Sequence, residues 1–252
     1  MKALLVYNGG LGKNYILYDV VRDLIERAKD FSLELIPKSN EELLVLESSQ
    51  GEEVLNLDFD PAFVLFLDKD LDLARALENK GYPLFNSSQS IGLCDDKKKT
   101  YQVLRGLPMP KTIFSPLLYH AKENRDYCKE VWSRLQAPLI LKAAQGSFGE
   151  QVKQVKSLED LVRETRAMSP TSYLVQECIQ ESLGRDIRVV LVGDQILGAM
   201  ERTNQKDFRS NIYLGGQGKE IHLTADQEAL ALEAHRRLGL NISGVDLLVS
   251  SQ

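Results

Sequence analysis

The sequence predicts an α/β (α+β) protein that begins with a small parallel-sheet domain. Short apolar runs typical of buried strands alternate with longer segments whose apolar residues recur at helical spacing. Such alternation favours a parallel sheet covered by helices. The chain has 252 residues, 43% of them hydrophobic and 27% charged, which is typical of a globular protein with two or three small domains.

The first domain is expected over residues 1–93, with four strands. They are predicted at residues 3–7, 33–36, 62–67 and 82–85. Apolar residues at helical spacing between Ile16 and Ile25 indicate a helix after the first strand, and a second is predicted over residues 71–80. The intervening turn, residues 8–12, fits neither the G-x-G-x-x-G pattern nor a P-loop, so we interpret it as a strand-to-helix turn.

The next part of the chain continues to alternate helices and strands. One helix is predicted over residues 94–104 and another over residues 124–135, with a strand near residues 112–114 between them. Strands follow at residues 138–142 and 152–155. A further helix is expected after Ser157, because a serine side chain caps helix N-termini well.

The last part of the chain is organised around a hairpin. A strand beginning at residue 173 precedes two runs, residues 187–192 and 195–200, joined by the turn signal Gly193-Asp194. Downstream, the sequence from Thr224 to Gln227 is a capping box that begins a helix ending at Gly239. A final strand is predicted over residues 241–249.

Composition and residue spacing argue against several classes of protein. The net charge of -5 leaves no basic footprint for duplex nucleic acid. The apolar start of the chain is too short for a signal peptide or a membrane span. Three widely spaced cysteines, Cys94, Cys128 and Cys178, favour a reducing, cytoplasmic location over a disulfide framework. The histidines, His120, His222 and His235, have no catalytic or metal spacing and are interpreted as surface or packing residues.

The hairpin carries charged residues into strands that are expected to be half-buried. Asp186 and Arg188 lie on the first strand, and Arg202 ends the second. Buried charge is costly unless it is paired, so the hairpin either holds a structural ion pair or forms a site for a polyanion. The hairpin alone leaves both open. The loop after it ends at Gly215-Gly216, where we expect the backbone to approach a ligand closely.

A lysine and a small-residue loop form a second charged feature. Lys142 ends a predicted strand, and the loop Gly146-Ser147-Phe148-Gly149 follows within a few residues. An ammonium group is a compact charge for phosphate, and backbone N–H groups of such a loop can cover phosphate oxygens. The order excludes a protein kinase, in which the glycine-rich loop precedes the lysine.

Lysine followed by a glycine loop and a charged hairpin resembles the ATP-grasp fold and, within it, the RimK-like α-L-glutamate ligases, which are carboxylate-amine ligases. The similarity covers residues 85–249 in order. It rests on the linked set Asp96-Lys97, Pro108-x-Pro110-x-Thr112, Lys142-x₃-Gly146-Ser147-x-Gly149, Gln176-Glu177, Gly184-x-Asp186-Ile187-Arg188, Val192-Gly193, Ala199-Met200-x-Arg202, Asp207-Phe208-Arg209-Ser210-Asn211, Gly215-Gly216 and Gly244-Val245-Asp246.

The resemblance implies three domains and a fold. Residues 1–93 would be the N-terminal pre-ATP-grasp domain, with its small parallel sheet. Residues 94–175 would be the central ATP-grasp subdomain, with the phosphate loop and Lys142. Residues 176–252 would be the C-terminal subdomain, with the hinge, the arginine hairpin and Asp246.

The resemblance also implies roles in binding ATP. Lys97 and Lys142 would neutralise its phosphates, while Gly146, Ser147 and Gly149 close over them. Glu177 and Cys178 would form the hinge that reads the adenine edge, and Glu177 or Asp186 would hold the ribose.

Further roles implied by the resemblance concern the reaction. Arg209, Ser210 and Asn211 would bind the transferring phosphoryl group or an acyl phosphate, supported by Arg188 and Arg202; Arg209, Asn211 and Arg188 are the implied catalytic residues. Asp246 would hold Mg²⁺ or Mn²⁺ as an oxygen ligand.

The implied activity is ATP-dependent amide formation through an acyl phosphate, with release of ADP and phosphate. The partners would be ATP, a carboxylate, and glutamate or a protein amine, with no nucleic acid or membrane, in a possible homo-oligomer. In the family a Glu-x-Asn strand completes the metal site, and none follows Asp246 in these residues. We therefore expect an incomplete metal site and weak or absent ligase activity; the alternative is a truncated or inactive ATP-binding protein with a regulatory or interaction role.

Overall fold

The computed structural model describes residues 1–10, 16–146 and 151–250. The chain forms two compact units: residues 1–92 with 239–241, and residues 93–238 with 242–252. No helix within the described ranges is both long and apolar enough to cross a lipid bilayer.

The first unit is built on a parallel sheet, as the sequence predicts. Its strands follow the order β2-β1-β5-β6, and each neighbouring pair is parallel. The elements of this unit are β1 (Lys2–Tyr7), α1 (Ile16–Ala28), β2 (Glu34–Ser39), β3 (Leu44–Ser48), β4 (Gly51–Leu55), β5 (Val64–Leu67), α2 (Leu71–Asn79), β6 (Leu84–Phe85) and the start of α3 (Ser88–Asp95).

Strand β1 lies between two hydrophobic cores. Leu4 and Val6 pack into a core that includes residues of α2, while Ala3 and Leu5 pack into another that includes Val21 of α1. Successive side chains of a strand point to opposite faces, so a strand buried on both sides is apolar throughout. The continuous apolar run of β1 follows from this position.

The antiparallel hairpin of β3 and β4 was not predicted. Its register runs from Leu44 opposite Leu55 to Ser48 opposite Gly51. Most residues of β3 are exposed, and β4 buries one residue, Val54. A strand with little buried surface lacks the alternation of apolar and polar residues by which strands are recognised.

The second unit contains two antiparallel sheets. Their strand orders are β7-β10-β8-β9 and β13-β12-β11-β14. Its elements are α4 (Lys97–Val103), β7 (Thr112–Phe114), α5 (Arg125–Arg134), β8 (Leu139–Ala143), β9 (Val152–Val155), α6 (Leu158–Met168), β10 (Tyr173–Glu177), β11 (Arg185–Val192), β12 (Gln195–Thr203), β13 (Gln217–Glu220), α7 (Ala225–Arg237) and β14 (Ile242–Leu247).

The predicted helix over residues 94–104 is wrong as a single element. Helix α3 ends at Asp95, and Asp96 takes an extended conformation with φ -105° and ψ 106°. Its side chain accepts a hydrogen bond of 2.9 Å from the backbone N–H of Lys98. An aspartate in this geometry caps a new helix, so Lys97 becomes the first residue of α4.

Other capping predictions are confirmed. The Ser157 hydroxyl accepts from the backbone N–H of Asp160, and Thr224 and Gln227 form the complete capping box of α7. His235 on α7 is 2% exposed and hydrogen-bonds through Nδ1 with the Ser243 hydroxyl at 2.8 Å. It is a packing residue, as its lack of catalytic spacing indicates.

Candidate functional site

A charged cavity lies within the second unit, between its two sheets. It encloses about 260 Å³. It is lined by nine of the residues that the sequence points to: Lys97, Lys142, Glu177, Cys178, Asp186, Arg209, Ser210, Asn211 and Asp246. These residues come from α4, β8, the end of β10, β11, the loop after β12, and β14, so the fold gathers positions that are distant along the chain.

The remaining predicted residues lie at the cavity, at the edge of the described loop, or outside the described residues. Arg202 also lines the charged cavity, whereas Arg188 reaches it through its contact with Asp246. Gly146 lies at the edge of the described loop, with φ 120°. Ser147 and Gly149, the rest of the predicted phosphate loop, fall outside the described residues.

The run of lysines at the start of α4 divides between different partners. The Lys97 ammonium donates to the carbonyl oxygen of Gly146 at 3.0 Å, and its backbone N–H donates to Ala144 at 2.9 Å. The Lys98 ammonium donates instead to the Ser115 carbonyl and hydroxyl oxygens, at 3.0 and 2.9 Å. Lys99 is exposed. Lys97 is therefore the lysine that joins α4 to the loop after β8.

Lys142 projects from β8 into the charged cavity. Its ammonium donates to the Oε1 atom of Gln176 at 2.7 Å. Burial, together with the nearby positive charge of Lys97, lowers the pKa of Lys142 to about 8. The fold thus places a cation where its charge is not fully compensated, which is the arrangement that attracts an anionic ligand.

The charges of the hairpin form a buried ion pair. Asp186 on β11 lies directly opposite Arg202 on β12, and the two residues are 7% and 6% exposed. Arg202 donates from Nε and Nη2 to the two carboxylate oxygens of Asp186, at 2.7 and 2.6 Å. Of the two explanations for these charges, the structure shows the structural ion pair. Burial would lower the pKa of Arg202, but its bonds to Asp186 and Asp246 raise it above its ordinary value.

A second arginine–carboxylate pair, also held by two hydrogen bonds, joins β11 to β14. Arg188 lies opposite Asp246 and donates to its oxygens from Nε at 2.6 Å and from Nη2 at 2.8 Å. Arg202 adds a third bond to Asp246 at 2.9 Å. A Cβ atom at Gly244 would lie 2.6 Å from Nη1 of Arg188, so the glycine provides the space through which this side chain reaches Asp246.

A third arginine–carboxylate pair with two hydrogen bonds lies in the loop after β12. Arg209 donates from Nε and Nη2 to the carboxylate of Asp207, at 3.0 and 2.7 Å. These bonds hold the pKa of the Asp207 carboxyl below its ordinary value. A Cβ atom at Gly216 would collide with the carbonyl oxygen of Ser210. Gly216 therefore admits a close approach of the protein's own backbone, while the expectation that the backbone here approaches a ligand stays a prediction.

Glu177 of the predicted hinge is hydrogen-bonded to the backbone just before strand β7. The Glu177 carboxylate accepts a hydrogen bond of 2.7 Å from the backbone N–H of Lys111, and the Glu177 N–H donates to the Lys111 carbonyl at 3.0 Å. Cys178 is half-buried, and burial raises the pKa of its thiol. Both residues line the charged cavity, where their roles toward adenine and ribose stay predictions.

Asp246 is the predicted ligand of a divalent metal, and its carboxylate is already engaged. Both oxygens of Asp246 already accept hydrogen bonds from guanidinium groups. Across residues 1–10, 16–146 and 151–250, no three His, Cys, Asp or Glu side chains come together as metal ligands. The described residues do not form a complete magnesium or manganese site, and the assignment of Asp246 as a metal ligand stays a prediction.

Two side chains near Lys142 were missed as functional candidates. Gln176 was noted only as part of a motif, and Tyr101 only as part of a helix, yet Gln176 is hydrogen-bonded to both Lys142 and Tyr101. The available signal was a glutamine directly following the apolar run Tyr173-Leu174-Val175, where burial requires that its amide find partners.

Comparison with protein families gives a match over residues 94–252 to a model described as the RimK-like ATP-grasp domain. The chain is 35% identical over 191 residues to a probable alpha-L-glutamate ligase of Cellvibrio japonicus, with 72% of this chain and 60% of the relative covered. It is 36% identical over 188 residues to N-acetylaspartylglutamate synthase A of Mus musculus, covering 72% of this chain and 48% of that protein.

Among solved structures, the fold is similar to the D-alanine–D-alanine ligase of Bacillus anthracis. The TM-score is 0.75 at 17% sequence identity, and the superposition covers 100% of this chain and 83% of the other. At this identity the similarity concerns the fold. It covers both units and includes the two antiparallel sheets that carry the charged cavity.

Proposed function

We propose that this chain, which belongs to the RimK-like ATP-grasp family, uses ATP to join a carboxylate to the amine of an amino acid, with glutamate as the expected amine substrate. ATP-grasp ligases in general carry out ATP-dependent carboxylate–amine ligation. The observation that carries the proposal is the convergence of Lys97, Lys142 and Arg209 on one cavity of the matched domain. Such a set of cations suits a triphosphate and a transferring phosphoryl group.

The names of the relatives support an amino acid as one substrate. One is a probable alpha-L-glutamate ligase and another an N-acetylaspartylglutamate synthase. The chain spans 60% of the first and 48% of the second, so the activity of a whole relative is not transferred to it directly. Glutamate is proposed because it is the component that both printed names share.

The proposed reaction has two steps. A carboxylate oxygen of the first substrate attacks the γ-phosphorus of ATP, forming a C–O–P acyl phosphate while the bond between the γ-phosphorus and the bridging oxygen breaks and ADP leaves. The amine nitrogen then attacks the acyl carbon, forming the C–N bond, expelling phosphate and losing a proton. Neither step requires a covalent intermediate on the protein. Positioning and charge stabilisation therefore supply the catalysis.

The side chains of the charged cavity suit these steps. The ammonium groups of Lys97 and Lys142 would hold the phosphates of ATP. The Arg209 guanidinium would donate to two oxygens of the transferring phosphoryl group, since guanidinium binds phosphate in the same two-bond geometry that it uses with carboxylate. Arg209 now holds Asp207, so binding the phosphoryl group exchanges one anion for another. Asn211 and Ser210 line the same cavity and can donate hydrogen bonds there.

The test is carboxylate-dependent release of ADP in the presence of Mg²⁺ and a panel of acids and amines, with hydroxylamine to trap an acyl phosphate. Lys142→Ala and Arg209→Ala are each expected to abolish this release. Arg236→Ala is the matched control, because Arg236 is exposed and also bonds a carboxylate, that of Asp194 at 2.9 Å. Normal turnover in both cavity variants would overturn the assignment of roles.

A second candidate is an ATP-binding protein without turnover. It is favoured by the guanidinium groups of Arg188 and Arg209, because each is already hydrogen-bonded to a carboxylate of the same chain. In that case ATP would bind with an affinity that Lys142→Ala reduces, while no acid in the panel would stimulate ADP release and hydroxylamine would trap nothing.

A further inference from the structure

The side chain of Gln176 occupies a position that is rarely polar. It lies on β10 and is 2% exposed. Its register partner on β8 is Ile140, and Lys142 stands two residues further along that strand. The two side chains are therefore diagonal neighbours on one face of the sheet, within reach of each other. A buried amide at this place must satisfy its donors and its acceptor from within the protein.

The hydrogen-bond partners of the Gln176 side chain determine which of its amide atoms is the oxygen and which the nitrogen. The Lys142 ammonium can only donate, so the atom 2.7 Å from it is the amide oxygen. The Thr112 hydroxyl donates to the Pro110 carbonyl at 2.9 Å, which leaves it to accept from the amide nitrogen at 3.2 Å. The second N–H of the amide donates to the Tyr101 hydroxyl. Three partners thus engage the oxygen and both N–H groups of the amide.

The phenol of Tyr101 is itself held in place. Its ring meets the ring of Phe114 edge to face, with the centroids 6.3 Å apart. Burial raises the pKa of Tyr101, so the hydroxyl stays neutral across the ordinary pH range. Residues of α4 and β7 therefore orient a side chain of β10, which in turn orients the ammonium on β8.

The Gln176 amide differs from the partners of three arginines around the charged cavity in one respect. Arg188, Arg202 and Arg209 are each bonded to a carboxylate, which cancels charge as it fixes geometry. Gln176 fixes Lys142 with a neutral oxygen. Within the described ranges, no carboxylate lies within ion-pair distance of the Lys142 ammonium. Its positive charge is thus oriented but left for a ligand.

We infer that Gln176, held by Tyr101 and Thr112, is a positioning residue that aims the Lys142 ammonium into the charged cavity without neutralising it, so that the charge is available to the phosphates of a nucleotide. The inference rests on the proposed function in that the ligand is a nucleoside triphosphate. It adds a requirement that the proposed function does not contain: the partner of Lys142 must be uncharged.

The decisive variant is Gln176→Glu. It keeps the size of the side chain and places a carboxylate next to the Lys142 ammonium. Binding of ATP and of adenosine is measured at pH 7 by displacement of a fluorescent ATP analogue, with folding checked by circular dichroism. The expected result is at least a tenfold weaker binding of ATP with adenosine binding unchanged, because adenosine has no phosphate for Lys142 to hold. Gln195→Glu adds the same charge at an exposed position and is expected to bind ATP like the wild type.

Tyr101→Phe tests the network without adding charge. It removes one acceptor of the amide and is expected to weaken ATP binding two- to threefold, again without an effect on adenosine. If Gln176→Glu does not fold, this variant alone decides, and unchanged ATP binding in it overturns the inference. Equal losses for ATP and adenosine would show a merely structural role and also overturn it. A wild type that does not bind ATP contradicts the proposed function itself, so the two failures are distinguishable.

Discussion

The ammonium of Lys142 is expected to make nucleotide binding depend on pH. Burial and the charge of Lys97 lower its pKa to about 8, so it loses its proton in a range where arginine keeps its charge. Only the protonated form attracts phosphate. A lysine whose pKa is lowered carries its charge below that value and loses it above, so the affinity for ATP is expected to fall as the pH rises through 8.

The size of the effect follows from the protonated fraction. With a pKa of about 8, roughly 90% of the Lys142 side chains carry the proton at pH 7 and roughly 10% at pH 9. When only a fraction of the protein is competent, the apparent dissociation constant rises in inverse proportion to that fraction. The constant for ATP is therefore expected to rise about ninefold between pH 7 and pH 9, which is about 1.3 kcal/mol.

The measurement is a series of ATP titrations at half-unit steps from pH 7 to pH 9 at constant ionic strength. Lys142→Arg keeps its charge throughout this range, so its profile is expected to be flat whatever its absolute affinity. The series is repeated in a Cys178→Ser background, because the Cys178 thiol lines the same cavity and is an ionisable group whose pKa burial raises. A constant affinity in the wild type, or the same slope in Lys142→Arg, would refute the reasoning.

Two further predictions concern stability. Asp186→Asn breaks the buried pair with Arg202 and is expected to lower the free energy of unfolding in urea by about 3–5 kcal/mol, because a guanidinium is left partly uncompensated in the interior; a loss below about 1 kcal/mol would contradict this. His235 is buried, and burial lowers its pKa, so the folded state favours the neutral ring. Stability is then complete above its ordinary titration range and decreases as the pH falls through it. The urea midpoint is expected to drop more from pH 7 to pH 5 in the wild type than in His235→Gln, and equal drops would count against the prediction.

The sequence carries local signals that the structure confirms. Ser157 and Thr224 cap helices because their hydroxyls reach backbone N–H groups within the next three residues. The same chemistry at Asp96 was overlooked within the run Asp95-Asp96-Lys97, and one helix was predicted where the structure has two. The capping role of Asp96 depends on its extended backbone, which composition does not reveal.

The partners of the charged side chains are the part that sequence alone did not provide. Arg188 and Asp246 are 58 positions apart, and Arg202 and Asp186 are 16 apart. Each pair forms because two strands have a particular alignment, and that alignment is a property of the assembled sheet. The types of residue in the cavity were therefore predictable from the motifs, whereas the carboxylate to which each arginine is bonded was not.

The ion pairs that join β12 to β11 and β11 to β14 have a consequence for how the sheet assembles. Because side chains alternate between faces, a shift of β14 by one residue against β11 would set Arg188 opposite Val245 or Leu247 and leave its guanidinium without a carboxylate. Misaligned pairings thus carry an electrostatic penalty that the correct one avoids. The pairing of Asp246 with Arg188 thus favours the observed strand alignment independently of any ligand.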